Sequence, residues 1–330
     1  MSSDTCILMP EDFEENRVLE KYEETIHSMY NGVMIGVDFE EGQNVTSSIN
    51  NWARNTSNGV FDNVMDAAPD HDSKLIILNL SRFRGKWESA FSQDATLADS
   101  FYNRGNEYTG ADFMLMTRRY FRYSNLTMGG GEVQVLEMPF ADDDTRMIIL
   151  LPKERDGLKK MLAYKNFAVE LKQALYAVSH NRFRKVDVRL PKFRFEMEHD
   201  LEPILTKMGM KDIFSDSADL TNITDPLDEE DRLSVTQILH KAVIEIDEEG
   251  TYDVPIANLC DAEKDVKPNE QPIGFFAHHP FLYVITSEKT GLILFMGKVV
   301  TLPKIPKCKT KRRIAGPASF ESKRQRRNSS

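Results

Sequence analysis

The chain has no run of eighteen apolar residues, so no segment reads as a membrane-spanning helix and no membrane partner is expected. Cysteine is scarce. Cys6, Cys260 and Cys308 are odd in number and far apart, which excludes reading them as a disulfide framework or a metal site. There is no Cys-x-x-Cys pair, no glycine-rich phosphate loop and no Gly-x-Ser-x-Gly elbow. Thiol–disulfide exchange, P-loop nucleotide binding and α/β-hydrolase chemistry therefore lack sequence support. No internal repeat recurs. The opening MSSDTCILMPEDFEEN is acidic and has neither a basic start nor a sustained apolar stretch, so it does not read as a signal peptide. The chain as written is expected to be cytoplasmic or nuclear, and extracellular if the true N-terminus is missing.

What is present fits a globular protein. Of 330 residues, 41% are apolar and 28% charged, enough apolar material for a core. The formal charge is −10, unevenly placed. From Lys304 onward there are ten Lys/Arg and one acid, Glu321. Residues 1–303 hold 32 basic and 51 acidic residues, so a body of −19 carries a tail of +9. Such asymmetry marks a separate interaction segment. Three parts are expected: an acidic lead over 1–18, one domain over 19–303, and a basic tail over 304–330.

Periodicity outlines the elements. Leu19 to Tyr30 has helical spacing, and Asn44 opens a second helix carrying Ile49 and Trp52. Leu75 to Leu80 is an apolar run broken by Asn79, read as a strand buried on both faces. Such an Asn requires a hydrogen-bond partner. Val133–Met138 and Met147–Leu151 flank a turn holding Asp142, Asp143 and Asp144, which lack the alternating ligand spacing of a calcium loop. Val186 to Leu190 alternates as a strand, and His199 to Met208 resumes helical spacing. His278 and His279 are adjacent on a strand and point apart, so they are not a metal pair. No nucleophile or carboxylate motif accompanies His240. It is read as a core polar residue, and no catalytic group, metal or cofactor is expected.

One stretch organises the rest. HKAVIEIDEEGTYDV (from His240) alternates as a strand, then breaks at Glu248-Glu249-Gly250-Thr251. No period is sustained from Tyr252 to Gly274, which contains Pro255, Pro268 and Pro272. A hairpin, HHPFLYVITSEKTGLILFMGKVV, follows. So long a connection inside a domain is usually functional or disordered.

HKAVIEIDEEGT, the long loop, HHPFLYVI and GLILFMGKVV together resemble the signature of the serpins. Upstream, INNWARNTSNGVFDNVM, LILNLSRFRGKWESAF, VQVLEMPFADDDTRMIILLPKE and VDVRLPKFRFEMEHDLEPILTKMGMKDIFSDSADLTNIT resemble further blocks of that family, in its order. The resemblance covers about Leu19 to Pro303. It implies an α+β serpin fold with a large central sheet, smaller sheets, surrounding helices and an exposed reactive-centre loop. Asn79 and His240 would lie in the family's shutter beneath the large sheet, and Trp87 in its breach. The function implied is inhibition of a serine protease by a suicide substrate, without enzymatic turnover.

Four departures qualify the resemblance. The family's four preceding helices and a short strand are absent ahead of Leu19. Their loss would bare an apolar underside, and the expectation is either a truncated sequence, the favoured reading, or a degenerate member of the family. In the hinge, Glu248, Glu249, Gly250 and Thr251 fit, but Tyr252-Asp253-Val254-Pro255-Ile256 replaces the small residues of inhibitory members. After insertion Asp253 and Pro255 would share the inward face, as an unpaired buried charge and a residue without an N–H. This opposes insertion and favours a non-inhibitory serpin as the alternative. The loop is about five residues longer than family spacing. Counting forward from Glu248 puts the scissile position at Lys264, before Asp265, a bait for a trypsin-like protease, whereas counting back from Pro280 puts it near Asn269, so the register stays open. Lys267 is the other candidate but precedes Pro268. Finally, the tail carries Lys311-Arg312-Arg313 and Lys323-Arg324-Gln325-Arg326-Arg327. The clusters resemble a two-part nuclear localisation signal, read by an import receptor, and also suit a polyanion.

Overall fold

The computed structural model describes residues 1–11, 18, 20–223, 232–250 and 270–304. The chain opens with β1 (Ser2–Pro10), α1 (Glu20–Tyr30), β2 (Gly32–Val37) and α2 (Gly42–Thr56). Three strands follow: β3 (Leu75–Arg84), β4 (Leu97–Asn103) and the long β5 (Glu107–Met128). The hairpin β6 (Gly131–Pro139) and β7 (Thr145–Pro152) leads to α3 (Gly157–Ala163) and α4 (Phe167–Ser179). Then come β8 (Phe183–Pro191), β9 (Phe193–Asp200), α5 (Glu202–Met208) and β10 (Val235–Ile246). The described chain closes with β11 (Ile273–Phe276), β12 (Phe281–Ser287) and β13 (Ile293–Val299).

A five-stranded sheet has the order β2-β1-β3-β10-β9. At its centre β3 and β10 pair in parallel, from Val235 opposite Leu75 to Glu245 opposite Arg84. Both neighbours of this pair, β1 and β9, run antiparallel to it. α2 seals one face: Val45, Ile49 and Ala53, four residues apart, are buried with Leu8, Leu78, Leu80 and Val243. Successive strand residues alternate faces, so Leu75, Ile77 and Asn79 point away from α2.

β1 corrects the expected lead. Residues 2–10 lie in the five-stranded sheet between β2 and β3, with Cys6, Ile7, Leu8 and Met9 buried. The residues expected as a separate acidic lead thus contribute a strand to the sheet. Its apolar run is only four residues long and sits between acidic flanks, which hides it from pattern reading. Burial pushes the Cys6 thiol pKa up to about 12, so it packs as a small apolar group.

The other sheet has eight strands, β11-β8-β5-β6-β7-β12-β13, with β4 paired to β5. β4 uses only the first part of β5 and β6 only the second. The register of β5 against β8 shifts between Met116 and Arg119. The smaller sheets expected from the resemblance are thus joined into one eight-stranded sheet through the bent strand β5. β7 and β12 are unbroken apolar runs because they are covered on both faces. One face packs Ile148, Leu150 and Val284 under α3 and α4, while the other sends Ile149 and Tyr283 into the main core.

Three local expectations change. The second helix begins at Gly42, so Asn44 is inside it and bonds Glu41 at 2.5 Å rather than capping. His199 and Asp200 finish β9, and the helix starts at Glu202, because β9 is held by its pairing with β10. Asn79 is only half-buried, since the face away from α2 is incompletely covered by the described chain. In the other sheet, Ile293 and Met296 of β13 and the preceding Leu292 are 48%, 53% and 62% exposed.

Candidate functional site

β10 stops at Ile246 because Asp247 to Gly250 turn into the loop that follows β3. Asp247 Oδ1 accepts from Glu249 N at 2.9 Å, a local side-chain turn. The next residues are then tied across. Trp87 N donates to Glu249 O at 2.9 Å, Phe91 N to Glu248 O at 3.2 Å, and Trp87 Nε1 to Asp247 O at 2.8 Å. Trp87 is 1% exposed and stacks on Phe140, centroids 4.5 Å apart. This is the top of the seam between β3 and β10, and here it is closed.

Glu248 is the charged anchor of the closure. It is 5% exposed, yet its carboxylate takes Lys192 Nζ at 2.6 Å and Thr96 Oγ1 at 2.7 Å. Burial alone would raise its pKa, but these hydrogen bonds outweigh it and hold the carboxyl below its ordinary value of 4.5. Arg84 spans the surface side, 3.1 Å from Asp247 and 3.0 Å from Glu249. Gly250 is required by space: a Cβ there would lie 2.6 Å from Trp87 O and 2.7 Å from Ala90 Cα.

Lower in the sheet, polar side chains cross three strands. His240 Nδ1 meets Asn79 Oδ1 at 2.9 Å, and Ser81 Oγ donates to the same oxygen at 3.0 Å. Asn79 Nδ2 donates to Ser3 Oγ at 3.2 Å and Thr5 Oγ1 at 3.1 Å. Because Oδ1 accepts, His240 carries its proton on Nδ1. Burial, then His199 opposite it on β9, lowers the His240 pKa. The network joins β1, β3 and β10, and its His240–Asn79 contact crosses the seam between β3 and β10.

The structure brings Glu248, Glu249 and Gly250 against Trp87, and Asn79 against His240. Thr251, Tyr252, Asp253 and Pro255 lie outside the described residues. So do Lys264, Asp265 and Lys267, and Lys311, Arg312, Arg313, Lys323, Arg324, Arg326 and Arg327 of the tail. Sequence reading missed Lys192, Thr96 and Arg84 as partners of the hinge, and Ser3, Thr5 and Ser81 as partners of Asn79. Lys192, directly after Pro191 at a strand end, was visible as a break, but nothing in the pattern names its carboxylate. His278 Nε2 is 3.4 Å from Asp99, whereas His279 Nε2 is 2.7 Å from Pro152 O, so the two rings diverge. Asp142 accepts from Thr145 N at 2.7 Å, and Asp144 from Ser287 and Lys289. The aspartates hold the hairpin turn.

A family model described as Serpin (serine protease inhibitor) matches residues 13–302. Among curated proteins, Iripin-2 of Ixodes ricinus is 33% identical over 288 residues, covering 86% of this chain and 68% of the relative. Serpin B4 of Homo sapiens is 31% identical over 283 residues, covering 85% and 70%. Among solved structures, uncleaved ovalbumin superposes with a TM-score of 0.76 at 27% identity, covering 91% of this chain and 74% of that one.

Proposed function

Because the chain belongs to the serpin family, we propose that it inhibits a trypsin-like serine protease as a suicide substrate, with Lys264–Asp265 as the bait bond. The observation that carries this reading is the parallel seam between β3 and β10. Gly250, the last described residue before 251–269, lies at the top of that seam, four residues after the end of β10. A segment folding back from there would run antiparallel to both strands, the orientation in which each could pair with it. The protease would attack the Lys264 carbonyl, releasing the Asp265 amine and leaving an acyl-enzyme. Insertion of the freed segment would then drag the acylated protease away before water reached the ester.

Insertion would have to undo the contacts that close the seam. The hinge has to release the Trp87–Glu249 and Phe91–Glu248 bonds, and β3 has to part from β10. A new central strand would restore ladder bonds on both sides, so the exchange can be favourable.

Asp253 and Pro255 favour a second reading, cleavage without trapping. On the inward face an unpaired Asp costs on the order of several kcal/mol, and Pro255 leaves a central ladder bond unmade. Both delay insertion while the acyl-enzyme hydrolyses. The basic tail adds a partner to either reading: a polyanion, or a nuclear import receptor through Lys311–Arg313 and Lys323–Arg327.

The test is incubation of the full chain with trypsin. Cleavage after Lys264 with a complex that survives boiling in detergent supports the suicide-substrate reading. Cleavage there without a complex, converted to trapping by Asp253→Ala with Pro255→Ala, supports the second. Intact protein beside active trypsin would overturn both.

A further inference from the structure

Far from the hinge, a cavity of about 610 Å³ opens between α3, the start of β12 and the end of β13. Its rim carries four cations, Arg104, Arg155, Lys159 and Lys298, against one acid, Asp156. That acid is engaged, 3.3 Å from Lys160. None of the four rim cations has an ion pair with a described residue. Arg155 instead lies over the Tyr102 ring, 3.6 Å from its centroid. The floor is apolar, formed by Leu158, Leu162 and Val300.

We propose that this cavity binds a small amphipathic anion: one carboxylate or sulfate among the rim cations, with an aliphatic or aromatic body on the floor. Charge and floor choose the class together. A neutral hydrophobe would leave four unpaired cations above it, and inorganic phosphate would leave the apolar floor wet. A volume of several hundred Å³ suits a molecule of fatty-acid or drug size. The body of the protein is acidic overall, so this cationic rim is a local reversal of charge that guides an anion to one place.

His279 reports on the site from behind. It sits beside the cavity-lining Pro280, with Nε2 2.7 Å from Pro152 O. Burial, together with the charges of His278 and Arg155, holds its pKa below the ordinary 6.5. An anion seated on Arg155 offsets part of that charge, so the His279 pKa should rise on binding.

The experiment uses octanoate, octyl sulfate, 1-octanol, inorganic phosphate and a heparin hexasaccharide as probes of the full chain, read by calorimetry and by the NMR titration of His279. The two anionic probes should bind one per chain in the millimolar range or tighter, and at least about tenfold more tightly than octanol or phosphate. Lys159→Glu with Lys298→Glu should weaken them at least about tenfold, with thermal stability unchanged because both side chains are exposed. The His279 pKa should move up with octanoate. Octanol binding as tightly as octanoate, binding that survives the double reversal, or no binding of either anion would overturn the proposal. A hexasaccharide that displaces octanoate and binds more tightly would overturn it in favour of a polyanion groove.

Discussion

Gly250→Ala tests how the hinge is locked. The new Cβ would meet Trp87 O at 2.6 Å, Ala90 Cα at 2.7 Å and Ala90 N at 2.9 Å, all backbone atoms. That wall cannot recede. Trp87 is stacked on Phe140, and Trp87 and Phe91 are 1% and 0% exposed. The hinge must therefore back away, stretching the bonds from Trp87 N to Glu249 O (2.9 Å) and from Phe91 N to Glu248 O (3.2 Å). Each buried backbone hydrogen bond is worth about 1 kcal/mol net, and overpacking costs about 1–3 kcal/mol. A local loss of about 2 kcal/mol corresponds to a roughly 30-fold rise in opening. Amide hydrogen exchange resolves this: Trp87 and Phe91 should exchange roughly 30-fold faster, while Leu150, deep in β7, keeps its rate. Unchanged exchange at Trp87 and Phe91 in a folded variant would show that the hinge is not held by those two bonds.

Asn79→Ala strands His240, Ser81, Ser3 and Thr5 at once, but water reaches this half-buried face, so the expected cost is about 1–2 kcal/mol. It is read as a lower urea midpoint at constant slope, and an unchanged midpoint would refute a structural role for the network. The depressed pKa values of His240 and His279 favour their neutral forms in the folded state. The unfolded chain protonates first, near 6.5, so stability should fall as pH drops from 7.5 through 6.5 and continue falling below it; a flat urea midpoint across that window would refute this. Glu248 adds a second loss below pH 4.5, where the unfolded carboxyl takes up a proton that the folded one resists, and exchange at Trp87 should accelerate there. A reporter carrying residues 304–330 should enter the nucleus and bind a polyanion with a steep salt dependence; a cytoplasmic reporter with salt-insensitive binding would leave the tail without either role.

Much of the fold was legible because its signals are local. The β6–β7 hairpin and the β12–β13 hairpin show as apolar runs around polar turns, a pattern visible in a short window of sequence. The family blocks are local strings as well, and their order along the chain was enough to expect Asn79 beside His240, which lie 2.9 Å apart. β1 was not legible, because a short run such as Cys6–Met9 becomes a strand only when α2 and the neighbouring strands cover it. Nor was the half-exposed state of Asn79, which depends on what lies beneath the sheet.

The sequence by itself determined the family, the break in strand alternation at Glu248-Glu249-Gly250 and the charge split between residues 1–303 and 304–330. Each of these is a property of order along the chain. The tertiary structure alone decided which partners hold the hinge shut. Lys192 and Thr96 reach Glu248 from about 56 and 152 positions away in sequence, and no periodicity records so distant a contact. It also alone gathered Arg104, Arg155, Lys159 and Lys298 around one apolar floor. Arg155 and Lys159 are neighbours at the start of α3, but Arg104 comes from the β4–β5 turn and Lys298 from β13, and only the packing of these elements brings all four charges to one rim.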